Sequence, residues 1–439
     1  MKSTSASQPA GRGDRLSLAE VVAIGVGGMV GGGIFAVLGL AMGLAGHAVW
    51  ISLGLGGVIA LITGLSYAHL GLAYRDDGGS FTYIEHAFPG RAALAGVAGW
   101  LLVAGYAGTL ALYATAFGAY GSALVSGSDA SGLLTHGLAA LVIILFLAVN
   151  LAGAKLSGSA ELAIVALKLA ILLVFAGFGL TSVHADHMLP VFDKGVVAPF
   201  VATALIFVAY EGFELIPNAI AEMQDPERNL KLAIVIAIVL TTAIYLLVGA
   251  VALGNLTAAE VRDAREYVLA VAAEPTLGRI GFTAIAVAAL LSTASAINAT
   301  LFGAARLAMV MASEHALPRL FALRERNRPV PWVALVGLSA VTIVFTLLGN
   351  LGVISTFASA TFLLIFLAVN LSGFRLASKI GLNPGLPALA SLLTGISFMA
   401  LIWHTWTSDR PSALWIAGFY LAAIGMEAAL VFFKGARRG

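Results

Sequence analysis

The sequence predicts an all-α membrane protein with twelve transmembrane helices, and three observations carry that prediction. Of its 439 residues 60% are hydrophobic and only 10% are charged, against about 25% charged in soluble domains. Apolar runs of about 20 residues, the length a helix needs to cross a hydrocarbon core about 30 Å thick, recur from end to end. Between them lie short connections, the longest at 255–278, which leave no room for an extramembrane catalytic domain.

Apolar blocks bounded by charges, Gly/Pro clusters or Asn place the spans at 19–45, 47–74, 92–125, 137–155, 158–182 and 195–220, then at 229–254, 279–311, 330–349, 351–373, 386–406 and 411–434. The net charge of +2 offers no nucleic-acid footprint. The absence of cysteine removes disulfides, thiolate metal sites and cysteine nucleophiles. His184, Asp186 and His187 fall in a loop and are not read as a metal site. No cofactor is expected.

Residues 1–15, with Lys2, Arg12 and Arg15, lack the apolar core and cleavage site of a signal peptide. They are read as a disordered cytoplasmic tail. Most of the 24 Lys and Arg residues lie on the side of the two termini, so the positive-inside rule makes both termini cytoplasmic. The protein is expected in the cell (inner) membrane, with the lipid bilayer as its surroundings.

Phe146–Leu151 and Phe366–Leu371 both read FLAVNL, followed by Gly153 and Gly373, then Lys155 and Arg375. The repetition is read as a shared helix-exit recipe ending spans four and ten, with Asn and Gly stopping the helix and a cation meeting its dipole. It is not taken as evidence of duplicated domains.

Two spans break their own apolar pattern. In the first, five of the seven positions 27–33 are glycine, each costing a helix about 1 kcal/mol relative to alanine. A continuous helix is disfavoured there, yet backbone left unpaired in lipid costs several kcal/mol per group, so the break must lie within protein. Its N–H groups would favour an anion such as a carboxylate and its freed carbonyls a cation, so one site can hold a zwitterion. The alternative is glycine used for close helix packing. A dinucleotide site is excluded, because Gly25, Gly27 and Val30 depart from GxGxxG and no strand precedes them.

The sixth span carries Ala209-Tyr210-Glu211-Gly212-Phe213-Glu214 with Pro217 beyond. Intramembrane carboxylates are costly and point to function. Glu211 is read in or beside a permeation pathway, whereas Glu214 reads equally well as a pathway acid or as a cap on loose N–H groups. Breaks in spans one and six point to a carrier built from two five-helix inverted repeats with a midplane site. The first repeat would be 16–182 and the second 195–373, with helices eleven and twelve, 386–434, peripheral. Lys168 lies within about 3 Å, along the axis, of the centre of span five at 1.5 Å per residue. It is read either as a proton shuttle or as a charged strut pinned to carbonyls. Arg306 is expected at the end of span eight, near cytoplasmic water.

With GGMVGGGIF at 27–35, FVAYEGFELIPNAIAEMQDPERNLKLAI at 207–234, INATLFGAARLAMVMASEHALP at 297–318, and Lys168, the chain resembles the amino acid/polyamine/organocation superfamily of permeases over most of its length. The resemblance implies a LeuT-like fold and proton-coupled uptake of amino acids by alternating access. It implies that the N–H groups of Gly31, Gly32 and Gly33 meet a substrate carboxylate, and that the carbonyls of Met29, Val208 and Glu211 meet its ammonium. Phe213 and Tyr106 would be gate or pocket wall. Lys168 would stand where other members bind a sodium ion, beside the carbonyls of Gly27 and Val30 and the hydroxyl of Ser292 or Ser295, with Glu214 a further candidate for handling the proton.

Two departures stand out. Gly32 replaces the Ser or Thr common in relatives, and Glu211 replaces an apolar residue. The second leaves open an inorganic cation such as potassium, or a polyamine, as substrate. A receptor without transport and a membrane-embedded enzyme are the remaining alternatives; no nucleophile, metal or acid/base constellation supports the latter.

Overall fold

The computed structural model describes residues 15–75, 78–127, 131–153, 158–314, 316–323 and 330–436. The tail expected at 1–15 therefore lies, all but Arg15, outside the described residues, as does Lys155. Among the described residues the secondary structure is helical, with one isolated β-bridge, Leu16 to Met223.

The helices are α1 (Leu18–Met29), α2 (Gly33–Ala45), α3 (Val49–Ala73), α4 (Gly79–Ala87), α5 (Ala92–Ser126), α6 (Gly132–Leu151), α7 (Gly158–Gly179) and α8 (Ala198–Leu205). Two 3-10 segments follow, Phe207–Tyr210 and Phe213–Glu222. Then come α9 (Pro226–Asn255), α10 (Ala258–Asp263), α11 (Val268–Ala272), α12 (Glu274–Ser313), α13 (Trp332–Leu348), α14 (Leu351–Ile380), α15 (Gly385–Ser408) and α16 (Arg410–Ala436).

Each of the twelve expected spans coincides with helical structure. By length and composition nine described helices can cross a membrane, or ten when the bent pair 198–205 and 207–222 is one span. The count is lower than twelve for two reasons: α2 and α3 run together as 33–73, and α1 and α13 are short apolar helices. The outer faces carry apolar side chains turned away from the protein. Leu173, Val174 and Phe178 of α7 are each more than half exposed, as a lipid-facing surface requires.

Local chemistry sets the helix ends. Ser17 and Glu20 form a reciprocal capping box that starts α1. Gly278, at φ 57°, separates the first turn of α12 from the rest, so the long helix proper begins at 279, as expected. Two expectations need correction. The second FLAVNL does not end a helix: α14 continues past Asn370, Gly373 and Arg375 to Gly381 in the left-handed region. The first does end a helix, α6 stopping at Leu151 with Gly153 at φ 74°. Both asparagines are also cross-links, Asn150 donating to Asn298 at 2.9 Å and Asn370 to Thr63 at 3.1 Å, which satisfies buried amides by tying helices together. The connections between the expected spans also hold helices that the apolar pattern does not mark, namely α4, α10 and α11.

The core is built around the two interrupted spans. α1 packs on α7, α9 and the segment 213–222, and α2 packs on α8. α3, α5, α12 and α14 complete the surround. α15 lies against α14, α8 and α3, and α16 against α5 and α15.

Candidate functional site

The first break is shorter than the glycine run. α1 persists through Gly27 and Gly28 to Met29, and only Val30, Gly31 and Gly32 leave the helix before α2 begins at Gly33. The second break is longer. α8 ends at Leu205, Glu211 is extended, and Gly212 adopts φ 132°, which disfavours any L side chain. The chain bends there by 52°.

The two breaks touch. A Cβ at Gly28 would stand 2.8 Å from the Gly212 Cα, and one at Gly33 would stand 2.6 Å from the Ala209 Cα. Glycine is therefore required at both places for the backbones to approach, and the packing reading of these glycines and the break reading hold together. Gly32 has a separate reason to lack a side chain: its Cβ would fall on the Tyr113 ring. The aromatic ring from α5 occupies the space that a Ser or Thr side chain would need.

Backbone freed by the breaks is paired by side chains from other helices, as buried polar groups demand. Tyr245 of α9 sits between the breaks, its hydroxyl 2.5 Å from the Met29 carbonyl and 2.8 Å from that of Ala209. Ser359 of α14 accepts from the Val208 N–H at 3.1 Å and donates to the Leu205 carbonyl at 2.6 Å. Glu214 Oε2 accepts from the Gly212 N–H at 2.7 Å, the capping arrangement, while its Oε1 has no hydrogen-bond partner among the described residues. Glu211 Oε2 accepts from Thr109 of α5 at 2.5 Å. Both carboxylates are buried.

The expected site residues fall as follows. Gly31 donates its N–H to the Gly28 carbonyl at 3.2 Å, and the Val208 carbonyl accepts from the Glu211 N–H at 3.2 Å. The first-turn N–H groups of α2, beginning with Gly33, have no intrahelical acceptor by helix geometry. Phe213 is buried against Tyr67 and Phe366, with ring centroids 5.6 and 5.2 Å away. Tyr106 packs on Phe362 at 5.3 Å.

Lys168 is buried and donates to the Gly27 carbonyl at 3.1 Å. Among the described residues no hydrogen bond joins it to the Val30 carbonyl or to Ser295, whose hydroxyl donates to Glu161 at 3.1 Å. Ser292 Oγ is buried with no hydrogen-bond partner among the described residues. Arg306 is exposed and lies over the Phe302 ring at 5.7 Å. His184 and His187 stack loosely at 5.4 Å, and among the described residues no group of three or more His, Asp or Glu is arranged to hold a metal.

The sequence reading missed Thr109, Tyr113, Tyr245, Ser359 and Glu161. Tyr106, Thr109 and Tyr113 recur at three and four residues, which places them on one helical face; that spacing was the available signal. Tyr245 and Ser359 carry no comparable mark.

The two ends of the bundle differ. On the face away from the termini a cavity of about 800 Å³ is lined by Gly39, Gly43, Arg265, Glu266, Asn350 and Thr356 among others. Burial pushes the Glu266 carboxyl up, against the opposing effect of Arg265. Towards the termini the rings of Tyr67, Phe213 and Phe366 pack together. Below them Leu16 donates to the Glu222 carbonyl at 2.7 Å and accepts from the Gln224 N–H at 2.9 Å, tying the start of α1 to the end of the segment 213–222.

Two discontinuous helices crossed at their breaks within a helical bundle define a membrane transporter of LeuT-like fold. The chain belongs to the amino acid permease family, whose profile matches residues 16–433. The inner membrane transport protein YbaT of Escherichia coli is 31% identical over 410 residues, 93% of this chain and 94% of that one. The methylthioribose transporter of Bacillus subtilis is 26% identical over 448 residues, 96% and 93% of the two chains. Among solved structures, a manganese transporter of Eremococcus coleocola, crystallised as a point mutant, shares the fold at a TM-score of 0.60 and 13% identity, covering 94% of each chain.

The contact between the breaks is testable by stability. Gly212→Ala combines a positive φ with backbone overlap and should cost about 2–4 kcal/mol, read as a lowered melting temperature in detergent; an unchanged melting point would mean the breaks do not meet there. Tyr245→Phe should cost about 1–2 kcal/mol through the lost hydroxyl bridge, and a wild-type melting curve would rule that bridge out.

Proposed function

We propose that the protein is a proton-coupled amino acid importer of the cell (inner) membrane, with both termini cytoplasmic. The observation that carries this reading is the Lys168 ammonium held on the Gly27 carbonyl, in the last turn before the first break. A charge placed there stabilises the freed carbonyl end of α1. When it is lost, that end loses its partner and α1 is released. The proton thereby sets which conformation is favoured, since a ligand shifts an equilibrium only through its differential hold on the two states.

In this reading the N–H groups of Gly32 and Gly33 take the substrate carboxylate, joined by that of Gly31 once it leaves the Gly28 carbonyl. The carbonyls of Met29, Val208 and Glu211 take the ammonium, Met29 and Val208 each using the second lone pair of a carbonyl that already accepts one bond. Tyr106 and Phe213 wall the pocket. The cavity on the far face is the external entrance, and the halves 16–182 and 195–373 act as the two repeats that rock around the site. The names of relatives span methylthioribose and manganese as well as amino acids, so the amino acid assignment rests on the family and on a site able to hold a zwitterion.

A second reading, a transporter of potassium or a polyamine, is favoured by one observation: Glu211 and Glu214 are both buried, and Glu214 Oε1 lacks a partner among the described residues. A cation would satisfy it.

In proteoliposomes an inward proton gradient should accumulate L-alanine. Lys168→Ala should keep L-alanine counterflow and lose accumulation at least about tenfold; accumulation at the wild-type level would remove Lys168 from coupling. Glu211→Gln should change the ranking of alanine, arginine, putrescine and potassium as competitors, and an unchanged ranking would return Glu211 to a structural role.

A further inference from the structure

A lysine that loads a proton from one face must release it to the other, and Lys168 itself is buried. Glu161 lies two turns earlier on α7 and is only partly buried. Its Oε1 stands 2.5 Å from where a Gly27 Cβ would be, so carboxylate and ammonium bracket the same glycine, one at its Cα and the other at its carbonyl. Ser295 of α12 donates to this carboxylate. Ser292 lies one helical turn from Ser295 on the same face, its hydroxyl buried and without a hydrogen-bond partner among the described residues. An acid in the first turn of a helix is favoured by the dipole alone, but that does not require the carboxylate to turn onto Gly27 and Ser295.

We infer that Glu161 is the group that passes the proton of Lys168 to water on the face of the termini, with Ser295 holding its carboxylate in place. The inference rests on the proton-coupling reading of Lys168. The step is a balanced transfer: the ammonium of Lys168 gives one proton to the Glu161 carboxylate, leaving a neutral amine and a carboxylic acid, and the acid then releases that proton to solvent.

Other ionisable groups on the elements packed against α7 are placed elsewhere. α1 brings Glu20, engaged by Ser17 in the capping box. α9 brings Glu227, Arg228 and Lys231 in its exposed first turns, and Tyr245, committed to the two breaks. α12 brings Glu274 and Arg279 at its other end and Arg306 over Phe302.

The test uses the full chain in proteoliposomes with L-alanine as probe. Glu161→Gln keeps the shape and the acceptor for Ser295 but cannot take the proton. Counterflow, which needs no net proton movement, should stay within about twofold of wild type, while gradient-driven accumulation should slow at least about tenfold and lose its dependence on pH at the face of the termini. Glu161→Asp should restore much of both, and Ser295→Ala should slow accumulation in the same sense with less severity. Wild-type accumulation and pH profile in Glu161→Gln would overturn the inference. If Lys168→Ala loses accumulation while Glu161→Gln keeps it, only the relay falls; if both accumulate normally, the lysine reading itself falls.

Discussion

Everything in this molecule follows from the cost of unpaired backbone in hydrocarbon. A helix that breaks inside a membrane frees N–H and C=O groups that lipid cannot satisfy, so each break must be enclosed and each freed group given a partner. The structure sets one break against the other, lines the seam with Tyr245, Ser359, Lys168 and Glu214, and leaves the first-turn N–H groups of α2 without an intrahelical acceptor. The helices α3, α5, α7, α9, α12 and α14 are arranged around that seam; Lys168 is buried against the end of α1, and Glu211 and Glu214 are buried in the second break.

The same demand explains why the site can work as a joint. Partners supplied by side chains from different helices can be exchanged one at a time, whereas helical backbone bonds are lost cooperatively. In the proposed function a bound zwitterion or a proton on Lys168 would change only which partner a freed group has. The face towards the termini is closed by stacked rings and by the short bridge at Leu16. The other face is open as far as Gly39 and Thr356. Alternating access requires such an asymmetry to be reversible at modest cost.

Much of this was legible in the residues. Hydropathy gives the order of the spans because each must cross a layer of fixed thickness, and the glycine run and the Glu-Gly-Phe-Glu sequence stand out because they violate the rule their neighbours obey. Lys168 was visible for the same reason. What one sequence cannot express is pairing. The second FLAVNL reads as a helix stop because Asn and Gly are stop residues locally, yet Asn370 is spent on Thr63 of another helix and α14 runs on. Tyr245 looks like any aromatic residue in an apolar helix until its hydroxyl is seen between Met29 and Ala209. Glu161 looks locally like nothing more than a polar helix start, and only the close approach of α1 and α12 brings it to Gly27 and Ser295.

The most direct measurement is an experimental structure of the chain with an amino acid bound. The expected result is ligand density between Gly31–Gly33 and Val208–Glu211, with its carboxylate on the N–H groups and its ammonium on the carbonyls. Density confined to the cavity at Gly39 and Thr356, with Gly28 still against Gly212 and the breaks sealed, would contradict the claim that the two interruptions form the binding site.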